Sequence, residues 1–198
     1  MMFMRTIIFA VIFLFIAFAS VITSCNTRSI AEATPAAINK DSLVKRGAYL
    51  VTVMGCDDCH SPKRMGAHGP EIIPELRLSG YRQNIPLTPV NTDEIKKGWV
   101  LFSPDLTAAA GPWGVSFAAN LTSDLTGIGS WTELQFKKAL REGKYKGLDN
   151  TRPLLPPMPW PNFGQLNDTD IKAVFTFLQS TKPVKNIVPA PQQPARMQ

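Results

Sequence analysis

The amino-acid sequence points to a small all-α domain interrupted by one long proline-rich loop. Three windows, 36–61, 113–152 and 162–182, contain no proline, and each carries apolar residues at helical spacing. Strand signal between them is sparse. The chain has 198 residues, enough for one ordinary domain with some accessory chain. At 44% hydrophobic and 18% charged residues it is too apolar to be disordered, and 3 Cys are too few for a disulfide scaffold. No repeat of 20–50 residues is present, which excludes solenoids.

Taken in order, the chain opens with Arg5 and an apolar or small-residue run, Thr6 to Ile22. A positive start, a short apolar stretch and small residues at its end describe an export signal; a single anchoring helix is the alternative. Ile22-Thr23-Ser24-Cys25 resembles a bacterial lipoprotein signal, an aliphatic residue and two small ones before Cys. That resemblance implies removal of residues 1–24 and lipidation of Cys25, and more than one acyl chain anchors stably where one does not. Residues 25–40 read as a tether, 41–182 as the folded domain and 183–198 as an extended Pro-rich tail.

Within the domain, Asp41-Ser42-Leu43 starts the first helix, with Leu43, Gly47, Leu50 and Met54 on one face. Ser130-x-x-Glu133 forms a capping box for the second, followed by Phe136, Ala139, Leu140 and Gly143. The third starts near Asn167 and presents Ile171, Val174, Phe175 and Leu178. The stretch 62–112 is long for a structureless loop, so it must be pinned or carry short elements of its own. Gly111-Pro112-Trp113-Gly114 reads as a turn between two extended segments.

Chemistry is concentrated at the end of the first helix, in Cys56-Asp57-Asp58-Cys59-His60. The C-x-x-C-H spacing is the attachment signal for c-type haem. Two thiols in one helical turn reach two vinyl groups on one porphyrin edge, and the adjacent His supplies the proximal imidazole. The other readings are weaker. A redox C-x-x-C would want a βαβ context, zinc would need more ligands than His68 and Cys25 supply, and a plain disulfide leaves His60 unexplained.

For the opposite iron face, Met1, Met2 and Met4 leave with the signal and Met197 lies in the tail. Met54 shares a helix with Cys56, and Met65 follows His60 too closely. Met158 remains, in Leu154-Leu155-Pro156-Pro157-Met158-Pro159-Trp160-Pro161, where four prolines stiffen the backbone. Packing into the core is the bland role for Met158, and His68 is the rival ligand.

Together these residues resemble the class I cytochrome c fold with one haem c. Three segments more specifically resemble the cytochrome c modules that accompany bacterial membrane-bound dehydrogenases. They are Arg46-Gly47-Ala48-Tyr49-Leu50, the stretch from Asn120-Leu121-Thr122 through Gly127-Ile128-Gly129-Ser130-Trp131 to Gly143, and Pro157-Met158-Pro159-Trp160. The likeness covers about residues 43 to 182. The chain departs from it in having one C-x-x-C-H where such modules often come in tandem, and in a longer 71–113 segment.

The resemblance implies that the first and last helices cross near Gly47 against an aromatic such as Phe175, with Met158 as sixth ligand. A filled sixth position implies single-electron transfer without bond chemistry, so the chain is expected not to be an enzyme. Expected partners are a dehydrogenase, a quinol-oxidising complex or a terminal oxidase, met at the periplasmic side of a bacterial membrane. A fixed subunit of such a complex is the alternative, and a haem enzyme or gas sensor with an open sixth position is a third. The formal charge of +6 is spread thinly, with no basic run or interleaved aromatics, so nucleic-acid binding has no support.

Overall fold

A computed structural model of the chain describes residues 39–194. The signal segment 1–24, Cys25, nearly all of the tether and Met197 lie outside the described residues. Three helices make the core. Helix α1, Lys40–Val53, begins where Asn39 accepts the Ser42 N–H at 2.7 Å, and it buries Leu43, Gly47, Leu50 and Val51. It is followed by α2, Cys56–His60, a one-turn helix set off by Gly55 in the left-handed region. The C-x-x-C-H run is therefore not the end of the first helix but a separate turn, re-aimed by that break.

Two later helices close the core. The first, Glu133–Glu142, starts two residues later than Ser130 would place it. Thr132 is its cap, and the capping box pairs Thr132 with Gln135 rather than Ser130 with Glu133. The last helix, Asp168–Gln179, is capped by Asn167, and its Ile171, Ala173, Val174 and Leu178 are buried. It crosses α1 at Gly47, where a Cβ would stand 2.6 Å from the Ala173 carbonyl carbon and from Phe177 Cβ. The aromatic at the crossing is thus Phe177, one turn beyond Ala173, and not Phe175. Phe175 instead meets Phe136 with ring centroids 5.4 Å apart.

The domain is not all-α. Between α2 and the Glu133–Glu142 helix lie two antiparallel sheets. The first pairs β1, Lys63–Gly66, with β2, Gly69–Ile72. The second has the order β3-β4-β5, from Leu101–Phe102, Ala108–Gly111 and Gly114–Phe117. Its β4–β5 hairpin turns at Pro112-Trp113, as the sequence suggests. These strands escaped the periodicity argument for a physical reason. β4 is Ala-Ala-Ala-Gly and is buried at all four positions, so it shows no alternation and no β-branched residues. A short helix, α3, Thr92–Lys96, precedes β3. With α3 counted, the Glu133–Glu142 helix is α4, Trp160–Phe163 is α5 and Asp168–Gln179 is α6.

After α6, residues 180–194 stay against the domain. They run back over the insertion, where Gln192 and Val115 exchange two backbone hydrogen bonds of 2.9 and 3.0 Å. Among the described residues no helix is long and apolar enough to cross a membrane.

Candidate functional site

His60 ends α2 and is buried. Its Nδ1 donates to the Ala119 carbonyl at 2.7 Å, which fixes the tautomer and leaves Nε2 as the unprotonated nitrogen. Burial holds the imidazole below its ordinary pKa, only partly offset by that bond, so the ring is neutral. A neutral imidazole oriented through its other nitrogen suits an axial iron ligand.

Cys56 and Cys59 lie on the same turn, half-buried and free of any disulfide. Burial, aided by the Asp57 carboxylate, pushes the Cys56 thiol up to about 12. Burial and Asp58 raise Cys59 as well. Reactive redox cysteines show the opposite tendency. Asp57 is clamped by Arg77 at 2.7 Å and by the Ser61 hydroxyl at 2.6 Å. The Lys63 ammonium bonds the carbonyls of Asp58, Ser61 and Asp105 at 2.6, 3.0 and 3.2 Å, tying the end of α2 to the loop ahead of β4. Neither Arg77 nor Lys63 stood out in the sequence, because each acts through a partner distant along the chain or through backbone oxygens.

Met158 is half-buried and packs against the apolar core, as do Met54, Cys56, Leu121, Trp131 and Phe163. The core cluster therefore carries a set of partly covered apolar side chains that includes Cys56, one of the motif's two thiols. Met65 is 73% exposed on β1, and His68 is exposed in the β1–β2 turn. Among the described residues, no three His, Cys, Asp or Glu side chains gather as a ligand set for a free ion, so a zinc centre has no ligands there. The residues that are present fit a covalently held porphyrin: paired thiols, a neutral tethered imidazole and adjoining apolar side chains.

Comparison with known proteins agrees with this chemistry. A family model for cytochrome c matches residues 44–182. The chain is 31% identical over 146 residues to the gluconate 2-dehydrogenase cytochrome c subunit of Pantoea cypripedii, covering 73% of this chain and 24% of that protein. It is 29% identical over 166 residues to the fructose dehydrogenase cytochrome subunit of Gluconobacter japonicus, covering 82% of this chain and 26% of that protein. To the cytochrome c subunit of the quinone-dependent alcohol dehydrogenase of Gluconobacter oxydans it is 30% identical over 146 residues, 73% of this chain and 23% of that protein. The chain thus spans about a quarter of the length of these curated relatives. With the family match extending over most of the domain, the chain belongs to the cytochrome c family, and its cofactor is covalently bound haem c.

Proposed function

We propose that the chain is a monohaem electron-transfer protein working at the periplasmic side of a bacterial membrane, anchored there by lipid on Cys25. Cys56 and Cys59 hold the haem as thioethers, His60 is the proximal ligand and Met158 the distal one. When bound, haem c supplies an iron that changes oxidation state by one electron, and Met/His ligation places its potential above that of stronger-donor pairs. The chain's own work is to hold: α2 sets the thiols, Ala119 orients the imidazole, and burial keeps water from His60. The observation that carries this reading is the Nδ1 bond of the buried His60 directly after two free, half-buried thiols.

The partner follows from the relatives, which are named as dehydrogenase cytochrome subunits, so a dehydrogenase is the proposed electron donor. A fixed place in such a complex is the second reading, favoured by the insertion: Trp99 is 62% exposed and Phe102 46%, beside exposed Val100. Apolar surface of that kind suits a lasting interface better than a brief encounter. Co-purification after mild solubilisation separates the two.

Far-red absorption of the oxidised, haem-loaded protein tests the ligand set. The weak charge-transfer band of Met-ligated ferric haem should be present, vanish in Met158→Ala and persist in Met65→Ala. Absence of the band in the native protein would turn the assignment toward His68 or an open site, and with it toward sensor or enzyme chemistry. For the anchor, Cys25→Ser should release the protein from membranes or leave it unprocessed, and a cleaved form that stayed membrane-bound would refute lipidation.

A further inference from the structure

The segment that carries Met158 has an unusual hydrogen-bonding problem. Pro156, Pro157 and Pro159 have no N–H, so this stretch can be tied to the rest of the protein almost only by accepting bonds. Its own Met158 N–H turns back locally to the Leu155 carbonyl at 3.3 Å, and the Pro159 carbonyl is taken by the start of α5. Among the described residues, one hydrogen bond reaches 155–159 from another part of the fold. It is donated by the Ser116 hydroxyl to the Pro156 carbonyl at 2.6 Å.

Ser116 is placed for this task. It sits in the middle of β5, opposite Ala109, and is 8% exposed. Its hydroxyl carries one proton. The bond to Pro156 is much shorter than the 3.4 Å approach to the Ala109 carbonyl, so the proton goes to Pro156. Trp113 Nε1 donates to the Ser116 hydroxyl oxygen at 3.3 Å, aligning it from the hairpin turn. β5 is itself held from behind by the Val115–Gln192 pair. Three residues after Ser116, Ala119 accepts from His60 Nδ1. One short segment, 115–119, therefore touches the supports of both axial residues.

We propose that Ser116 is the positioning residue for Met158, and that β5 and its exit brace the two axial ligands against each other across the insertion. The proposal rests on Met158 being the distal ligand. A sulfur ligand on a proline-stiffened segment keeps its place only as well as that segment is anchored; the Leu154 N–H ties its start to the Gly143 carbonyl at 2.6 Å, and Ser116 is the outside donor that reaches it next to Pro157 and Met158. Removing the hydroxyl lets the segment lift, and a small external ligand then competes more readily for the iron.

The test uses the full, haem-loaded ferric protein and imidazole as the competing ligand, followed with the far-red band. Ser116→Ala should bind imidazole roughly tenfold more tightly than wild type, the factor that about 1.4 kcal/mol of lost hydrogen bonding gives. Its far-red band should be weakened or displaced. Ser116→Thr, which keeps the hydroxyl, should restore both. Wild-type imidazole affinity and band in Ser116→Ala, even with a lowered Tm, would reduce Ser116 to a strand filler and overturn the proposal. Met158→Ala, run in parallel, separates the failures. If it abolishes the band while Ser116→Ala keeps the wild-type band and imidazole affinity, the positioning role alone falls. If it leaves the band intact, the ligand assignment falls and takes the proposal with it.

Discussion

The helical core and the insertion are held together by different forces. Between α1, α4 and α6 the buried contacts are apolar, with Leu43, Leu50, Val51, Leu140, Ile171 and Leu178 all buried, and ion pairs such as Arg46–Asp170 lie at the edge. The insertion and the returning C-terminal segment are instead pinned by buried polar side chains. Asn120 is 4% exposed; its amide donates to the Val184 carbonyl at 2.8 Å, and its oxygen accepts from the Thr122 N–H and hydroxyl at 2.9 and 2.8 Å. Asn186, 6% exposed, donates to the Ser79 and Tyr81 carbonyls at 2.7 and 2.8 Å and accepts the Gln83 N–H at 3.1 Å. One region gains stability mainly by removing surface from water, the other by satisfying backbone groups in irregular chain. The insertion nonetheless supplies the bonds to His60 and to the Met158 segment, so the less apolar region does the positioning.

Three perturbations bear on this contrast. The largest effect belongs to the core: Ile171→Ala should cost about 4 kcal/mol in urea unfolding, by lost burial and an unfilled cavity. Asn120→Ala should cost less, about 2 kcal/mol, by leaving the Val184 carbonyl and the Thr122 N–H without their partner. Its effect should also be local. Amide exchange should quicken around 79–83 and 184–192 while the α1–α6 crossing keeps its protection. Equal losses of protection in both regions would show that core and insertion unfold as one unit and remove the distinction.

The smallest effect concerns the crossing's polar edge. The Arg46 guanidinium, bonded to Asp170 at 2.8 Å, holds that carboxyl below the ordinary range against the opposing effect of burial. A carboxylate lowered in the folded state adds stability above its unfolded pKa and loses it as pH falls through the folded value. Asp170→Asn should therefore lower stability slightly near neutrality, slightly because Arg46 is half exposed, and leave it unchanged at the acid end, so that the acid side of the stability–pH curve flattens. An unchanged acid limb would mean the pair contributes nothing at the crossing.

How much of the molecule is legible in its sequence follows the same division. The core stripes of α1, α4 and α6 stand out because burial on one helical face imposes a 3.6-residue period on the residue types. The Asn167 cap and the Pro112-Trp113 turn are visible for similar local reasons. The capping box is misplaced by two residues because Ser130-x-x-Glu133 and Thr132-x-x-Gln135 satisfy the same rule, and only packing against the core selects between them. The sheets escape notice because their strands are only two to four residues long, too short to show a period of two, and β4 is Ala-Ala-Ala-Gly, buried throughout. Cys56, Cys59 and His60 are readable because attachment chemistry demands adjacent residues. Ala119, Ser116, Arg77 and Asn186 are not, since their roles arise from contacts between segments far apart along the chain.

By itself, then, the sequence determined the haem motif, the three core helices and Met158 as the candidate opposite ligand, because each rests on spacing within a few residues or on elimination. Tertiary structure decided the rest. It chose Phe177 over Phe175 at the Gly47 crossing, set α2 apart from α1 and folded 62–119 into two sheets. It also brought the Ala119 carbonyl to His60 and the Ser116 hydroxyl to Pro156. Those contacts join residues 59 and 40 positions apart, where no local period survives and only the closed chain shows which donor meets which acceptor.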